Sequence, residues 1–252
     1  MRFSYWADAA QPVDQIVASA RHVEATGWDG VWIADHFLPT IGAMDGPMHE
    51  CWGVLGVLAG AVERVRLGSL VCGNTYRHPA LLAKMATSVD HASHGRVVLG
   101  LGAGWEEREH ACYGFDFGTV RSRLDRLEEA AAVITSLRDE ATTTFEGAHY
   151  RLQDAPLEPK PVGPLPLLIG GGGERRTLRI AARFAQEWNV WGTPELLAHK
   201  GAVLDARCEE VGRDPAGIQR STQALLFLGE DPGRLEPFRD LDLGRPTIVG
   251  TP

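Results

Sequence analysis

Apolar positions along the chain alternate between two periods. Short apolar, β-branched runs at 2–6, 29–36, 65–73, 96–104, 165–170, 187–192 and 218–229 read as strands. Between them the spacing lengthens to that of a helix. Val13, Ile16, Val17, Ala20 and Val23 share a face within 12–27. Leu82, Met85, Ala86 and Val89 do so within 79–95, and Leu124, Leu127, Ala131 and Ile134 within about 121–139. Further helices are expected near 49–62, 106–113, 174–185 and 193–212, with a polar, Gly- and Pro-bearing loop at 37–48. Pro12 and Pro194 suit first turns, Thr193 a cap and Gly27 a helix end.

Repeated strand–helix units with apolar strands imply a parallel sheet covered by helices. Seven such strands fit a (β/α)8 TIM barrel forming one domain over 1–252. The rhythm breaks at about 141–164, where a hairpin-like start at Glu146-Gly147 runs into a Pro-rich end; this reads as an insertion. After Gly229 only "PTIVG" resembles a further strand, so the last strand and helix of a full barrel are expected to be missing. The chain then stops early, or a neighbouring subunit covers the edge.

Composition narrows the class. A net charge of −8 argues against a general nucleic-acid binder. No apolar run is long enough to span a membrane, and the first residues lack the apolar core of a signal peptide. Cys51, Cys72, Cys112 and Cys208 are scattered, which suits small buried residues in a cytoplasmic protein.

In a barrel the chemistry sits at the C-terminal ends of the strands. Those ends read Asp35-His36, "SLVCGNTYRHP", "GLGAGWEE", "GGGGERR" and Trp188-Asn189 with Trp191. Bare backbone, an imidazole and tryptophans on one face suit a pocket for a planar cofactor. Each feature also has a structural reading. Gly100, Gly102 and Gly104 suit a layer that admits no side chain, and Trp188 and Trp191 suit packing. Asp35 suits a brace for His36 or a loop, and His91 and His94 lack a third zinc ligand. Gly170, Gly171, Gly172 and Gly173 ahead of a helix are harder to read as packing, because free N–H groups at a helix start bind anions. Arg175 and Arg176 would then sit in the first turn.

Five segments, "GWDGVWIADHF" (27–37), "VRLGSLVCGNTYRHPALLAKMATSVDHASHGRVVLGLGAGW" (65–105), "YGFDFGTVRSRLDRLEEA" (113–130), "FEGAHYRL" (145–152) and "PLPLLIGGGGERRTLRIAARFAQEWN" (164–189), together resemble the bacterial-luciferase-like family. Within it they resemble the oxidoreductases that use the deazaflavin coenzyme F420. The resemblance implies a barrel with an insertion, a homodimer and a small-molecule substrate. It implies a deazaflavin across the third and fourth strands, next to Asp35 and resting on Leu70, Val71 and Cys72, with a non-proline cis peptide at Leu70–Val71. Gly102, Ala103, Gly104 and Trp105 would line the ring, His36 would stand beside its reactive carbon, and Gly170–Gly173 would receive the phosphate end. His36 is then the catalytic candidate, as acid/base or as stabiliser of the ring's anionic form. Trp105 stands where the sugar-phosphate dehydrogenase branch carries a carboxylate, which argues against a sugar-phosphate substrate; Gln186 stands where the family usually has an aspartate.

Three competing readings are kept. One is an FMN-dependent monooxygenase of the same superfamily. Another is a metal-dependent barrel hydrolase using Asp35, His36 and His49. The third is a cofactor-binding protein without turnover.

Overall fold

The hydrophobic period translates into secondary structure with small shifts at the ends. The computed structural model describes residues 1–40, 45–239 and 246–251. Positions 41–44 of the expected loop, and positions 240–245 and 252 of the expected domain, lie outside them. The described residues form two compact units, Met1–Ile169 and Gly170–Pro252.

The first unit runs β1 (Ser4–Ala7), α1 (Val13–Ala25), β2 (Gly30–Ile33), α2 (Cys51–Ala61), β3 (Arg66–Ser69), β4 (Cys72–Gly73), α3 (Pro79–Ala92), β5 (Val97–Gly102), α4 (Glu107–Tyr113), α5 (Val120–Asp139), β6 (Thr143–Glu146), β7 (Arg151–Ala155) and β8 (Leu167–Gly170). Its sheet is parallel in the order β1-β2-β3-β5-β8, with β4 also beside β5. Strands β2 and β5 are buried along their whole length, as expected of strands covered on both faces. Ile16, Ala20 and Val23 of α1 and Leu82, Ala86 and Val89 of α3 are buried, so the helical stripes read from the sequence are the faces that pack. The expected insertion is an antiparallel hairpin of β6 and β7.

The third predicted strand is two. The backbone breaks after Ser69, where the Leu70–Val71 peptide is cis, and resumes at Cys72. Across the break the Ser69 hydroxyl donates to Gly100 O and accepts from Gly100 N, both at 3.0 Å, so a side chain replaces the backbone ladder.

The second unit holds α6 (Thr177–Phe184), β9 (Glu187–Asn189), α7 (Pro194–Glu210), β10 (Gln219–Ser221), β11 (Leu225–Leu228), α8 (Pro232–Arg239) and β12 (Thr247–Gly250). β9 pairs with β10, and β11 with β12, both in parallel. The strand expected over 218–229 is therefore also divided, with its halves in different sheets. Helix α6 starts three residues later than expected. Leu178 N donates back to Gly173 O while Arg207 Nε takes Glu174 O, a wider turn than an α-helix makes. Arg175 and Arg176 thus precede the helix instead of opening it. Among the described residues no helix is long and apolar enough to cross a membrane.

Candidate active site

Strand β2 carries the chain out of the sheet at Asp35 and His36. Leu70 N donates to Ile33 O at 2.9 Å, and Gly73 N donates to Asp35 Oδ2 at 3.2 Å. These two bonds bring the Leu70–Val71 bulge and β4 to the end of β2. Asp35 is 2% exposed and faces Arg77, whose Nη1 and Nη2 donate at 2.7 and 2.9 Å; Nη2 also reaches Glu50. Burial raises the Asp35 carboxyl above its ordinary value, and Arg77 pulls it back only in part. Burial works against the Arg77 charge too, but Asp35 holds the guanidinium above its ordinary value. Asp35 is thus a brace for the β4–α3 loop, one of the roles its position suggested.

His36 leans on a residue the sequence does not single out. Its Nδ1 lies 3.1 Å from both oxygens of Glu109 on α4. Glu109 is fully buried and also accepts from Phe37 N at 2.7 Å, Leu38 N at 2.9 Å and the Tyr76 hydroxyl. Burial alone would raise this carboxyl; the bonds from His36, Tyr76 and Leu38 more than offset it and leave it below its ordinary value. An ionised carboxylate accepts from Nδ1, so the imidazole carries a proton there. Burial, with the Glu109 carboxylate as second cause, pushes the Tyr76 hydroxyl far above its ordinary value, so Tyr76 stays a donor.

At the end of β5, Trp105 is 61% exposed, and its ring meets the His36 ring edge-on at 5.4 Å between centroids. Gly104 O is held by Arg123 Nε at 3.1 Å, with the Arg123 guanidinium stacked 3.7 Å from the Phe117 ring centroid. Thr75 donates to His110 Nε2 at 2.6 Å, while His110 Nδ1 bonds Glu106 O at 2.7 Å. The structural reading holds for two of the alternating glycines. A Cβ on Gly100 would stand 2.0 Å from Ser69 O, and one on Gly104, whose φ is +82°, 2.8 Å from Thr75 Oγ1. Leu70 belongs to a buried cluster with Trp32, Val98 and Leu168, against which Val71 packs half-exposed.

The glycine turn lies in the second unit. Gly171, at φ +118°, donates to Asn189 O and accepts from Trp188 Nε1, each at 2.9 Å. Trp188 is fully buried, so it packs and pins the turn. Lys200 is the unforeseen neighbour: its Cε lies 3.7 Å from where a Cβ of Gly172 would stand, and its Nζ bonds Glu174 at 2.7 Å. The bonds from Lys200 and His199 hold the Glu174 carboxyl below its ordinary value.

Among the described residues, the side chains near enough to share a cation are Asp35, Cys51 and Cys72, not His36 or His49. Both Asp35 oxygens are already taken by Arg77, and Cys72 Sγ accepts from Trp52 Nε1 at 3.2 Å. That donor set does not fit the hydrolase reading.

Residues 1–236 match the family model of the luciferase-like monooxygenases. An F420-dependent glucose-6-phosphate dehydrogenase of Kineococcus radiotolerans is 31% identical over 239 residues, covering 93% of this chain and 70% of that one. An F420-dependent hydroxymycolic acid dehydrogenase of Mycobacterium tuberculosis is 29% identical, covering 86% of this chain and 60% of its own length. A solved F420-dependent secondary alcohol dehydrogenase, in complex with an F420-acetone adduct, shares the fold with a TM-score of 0.85 at 23% identity, over 94% of this chain and 73% of that one. The chain therefore spans about half to 70% of the length of the curated relatives it matches. With the family pattern matched over most of its length and the strand-end residues assembled as described, the chain belongs to the luciferase-like monooxygenase family.

Proposed function

We propose that this chain is an oxidoreductase that transfers a hydride between coenzyme F420 and a small organic substrate, with His36 as acid/base or as stabiliser of the ring's anionic form. The carrying observation is the His36–Glu109 pair at the end of β2, where a buried carboxylate orients an imidazole whose side chain is 15% exposed. Curated relatives of two substrate types named as F420-dependent support the cofactor.

The residues present fit a flat ring. An apolar bulge with half-exposed Val71 is fastened to the end of β2, and an exposed indole stands beside the imidazole. Leu70, Val71 and Cys72 would underlie the ring, with Gly102, Ala103, Gly104 and Trp105 along its edge. Within the second unit, the turn Gly170, Gly171, Gly172 and Gly173, with Lys200 beside Gly172, suits a phosphate group. Bound F420 supplies a carbon that gives or accepts hydride. Glu109 fixes the ring orientation and tautomer of His36, which leaves Nε2 to exchange a proton with the substrate oxygen. Asp35 acts through Arg77 and Gly73, keeping the loop after β4 in place. Trp105, apolar where the sugar-phosphate branch has a carboxylate, favours an uncharged carbonyl, alcohol or unsaturated substrate.

Fluorescence titration with F420 and with FMN, followed by turnover on a panel of carbonyl and alcohol substrates, tests this reading. The expected result is F420 binding and turnover. His36→Ala should keep F420 affinity within a few-fold and lose about 10²- to 10⁴-fold in kcat. Tight FMN binding without F420 binding, or unchanged turnover in His36→Ala, overturns it.

A further inference from the structure

A cavity of about 270 Å³ opens beside the β4–α3 loop. Its walls are Asn74, Thr75, Tyr76, Arg77 and His78 from that loop, Arg126 from α5, and His149 and Tyr150 from the tip of the β6–β7 hairpin. No carboxylate is among them. The polar groups that face it are mainly donors. Asn74 is 3% exposed, and its Nδ2 has no partner at hydrogen-bonding distance among the described residues. A buried amide N–H left in that state calls for an acceptor. His78 Nδ1 accepts from Ala80 N at 3.2 Å as the cap of α3, so its proton sits on Nε2. Thr75 spends its own proton on His110. Arg77 is balanced by Asp35 and Glu50, but Arg126 is paired with an Asp116 side chain that is 68% exposed, a contact that water screens and an incoming anion can displace.

We infer that this cavity is an anion-binding site, taking a phosphate or carboxylate group on Asn74 Nδ2, the Tyr150 hydroxyl and the Arg126 guanidinium. The inference does not depend on hydride transfer. The site has its own donors, and it borrows nothing from the glycine turn, which supplies the other anion candidate. It touches the candidate active site through two shared residues, since Tyr76 also bonds Glu109 and Arg77 also bonds Asp35. An anion seated there braces the loop from which both side chains project. The hairpin supplies one wall, and Glu129 of α5 holds its tip by accepting from the N–H groups of Ala148, His149 and Tyr150 at 2.9 to 3.1 Å.

Calorimetric titration of the full chain with inorganic phosphate, and separately with succinate, at ionic strength fixed with sodium chloride tests the inference. Saturable one-to-one binding of at least one anion is expected, and the stronger of the two identifies the headgroup. Arg126→Gln should weaken that binding by about tenfold or more, and Asn74→Leu should abolish it. Tyr150→Phe, which removes one hydroxyl and no packing, should weaken it several-fold at unchanged Tm. Arg175→Gln at the glycine turn should leave it unchanged. Absence of saturable binding, equal affinity in Arg126→Gln and Tyr150→Phe, or an equal loss in Arg175→Gln overturns the assignment.

Discussion

Glu106, Glu107 and Glu109 stand within four residues, and their spacing does not tell them apart. Packing does: Glu109 is fully buried, whereas Glu107 lies at the surface. Its carboxylate meets the backbone N–H groups of Phe37 and Leu38, His36 Nδ1 and the Tyr76 hydroxyl. This is a positioning residue, so replacing it should affect the rate more than binding. Glu109→Gln is expected to lower kcat by about tenfold or more with little change in KM, and Glu109→Asp to recover part of the loss; steady-state kinetics on the F420-dependent reaction would show it. Arg77 makes the complementary case for stability. Arg77→Met leaves the Asp35 carboxylate buried without its counter-ion, and a loss of about 3–5 kcal/mol by urea denaturation is expected. Asp35, His36 and Trp105 were visible in the sequence because they end apolar runs. Glu109, Arg77, Arg123 and Lys200 were not, because each meets its partner only through packing between elements distant in sequence.

At the scale of elements, the periodicity located nearly every helix and strand, and missed where one strand is two. The break after Ser69 is repaired by a serine hydroxyl across the sheet, an interaction with no signature in hydrophobic spacing. The start of α5 is legible in principle. Thr119 and Ser122 form a reciprocal cap, with Ser122 N donating to Thr119 Oγ1 at 3.1 Å and Thr119 N to Ser122 Oγ at 2.8 Å. Thr119→Ala is expected to cost about 1 kcal/mol, seen as a few degrees in Tm. The segment after β7 is seated by a closer contact. A Cβ on Gly163 would stand 2.4 Å from Gly95 O, and Gly163 N donates to Asp90 Oδ2 at 2.9 Å. Gly163→Ala must therefore move backbone, and a loss of stability larger than that of Thr119→Ala is expected in the same melts.

At the scale of the whole molecule, the −8 net charge conceals carboxylates with structural roles. Burial works against the ionised form of Glu24 as of Glu109, but Glu24 accepts from the N–H groups of Arg64, Val65 and Glu63, and both carboxyls end below their ordinary value. A carboxyl with a folded pKa below its unfolded value of about 4.3 stabilises the fold above that value. The contribution is lost as pH falls through the folded value. Asp35, raised by burial, acts in the opposite sense and offsets part of the loss. Urea midpoints should therefore be flat from about pH 7 to pH 5 and fall below about pH 4, with a shallower fall in Glu24→Gln. The sequence alone determined the strand–helix alternation, the (β/α) class, the family resemblance and the residues at strand ends, because these depend on local spacing and on the point where an apolar run stops. The tertiary structure decided which glutamate holds His36, which arginine neutralises Asp35, which glycines clear a neighbouring backbone and which cavity is walled without a carboxylate. Each of those depends on the angle at which one element docks on another, and that angle is set by the packing of side chains from distant parts of the chain.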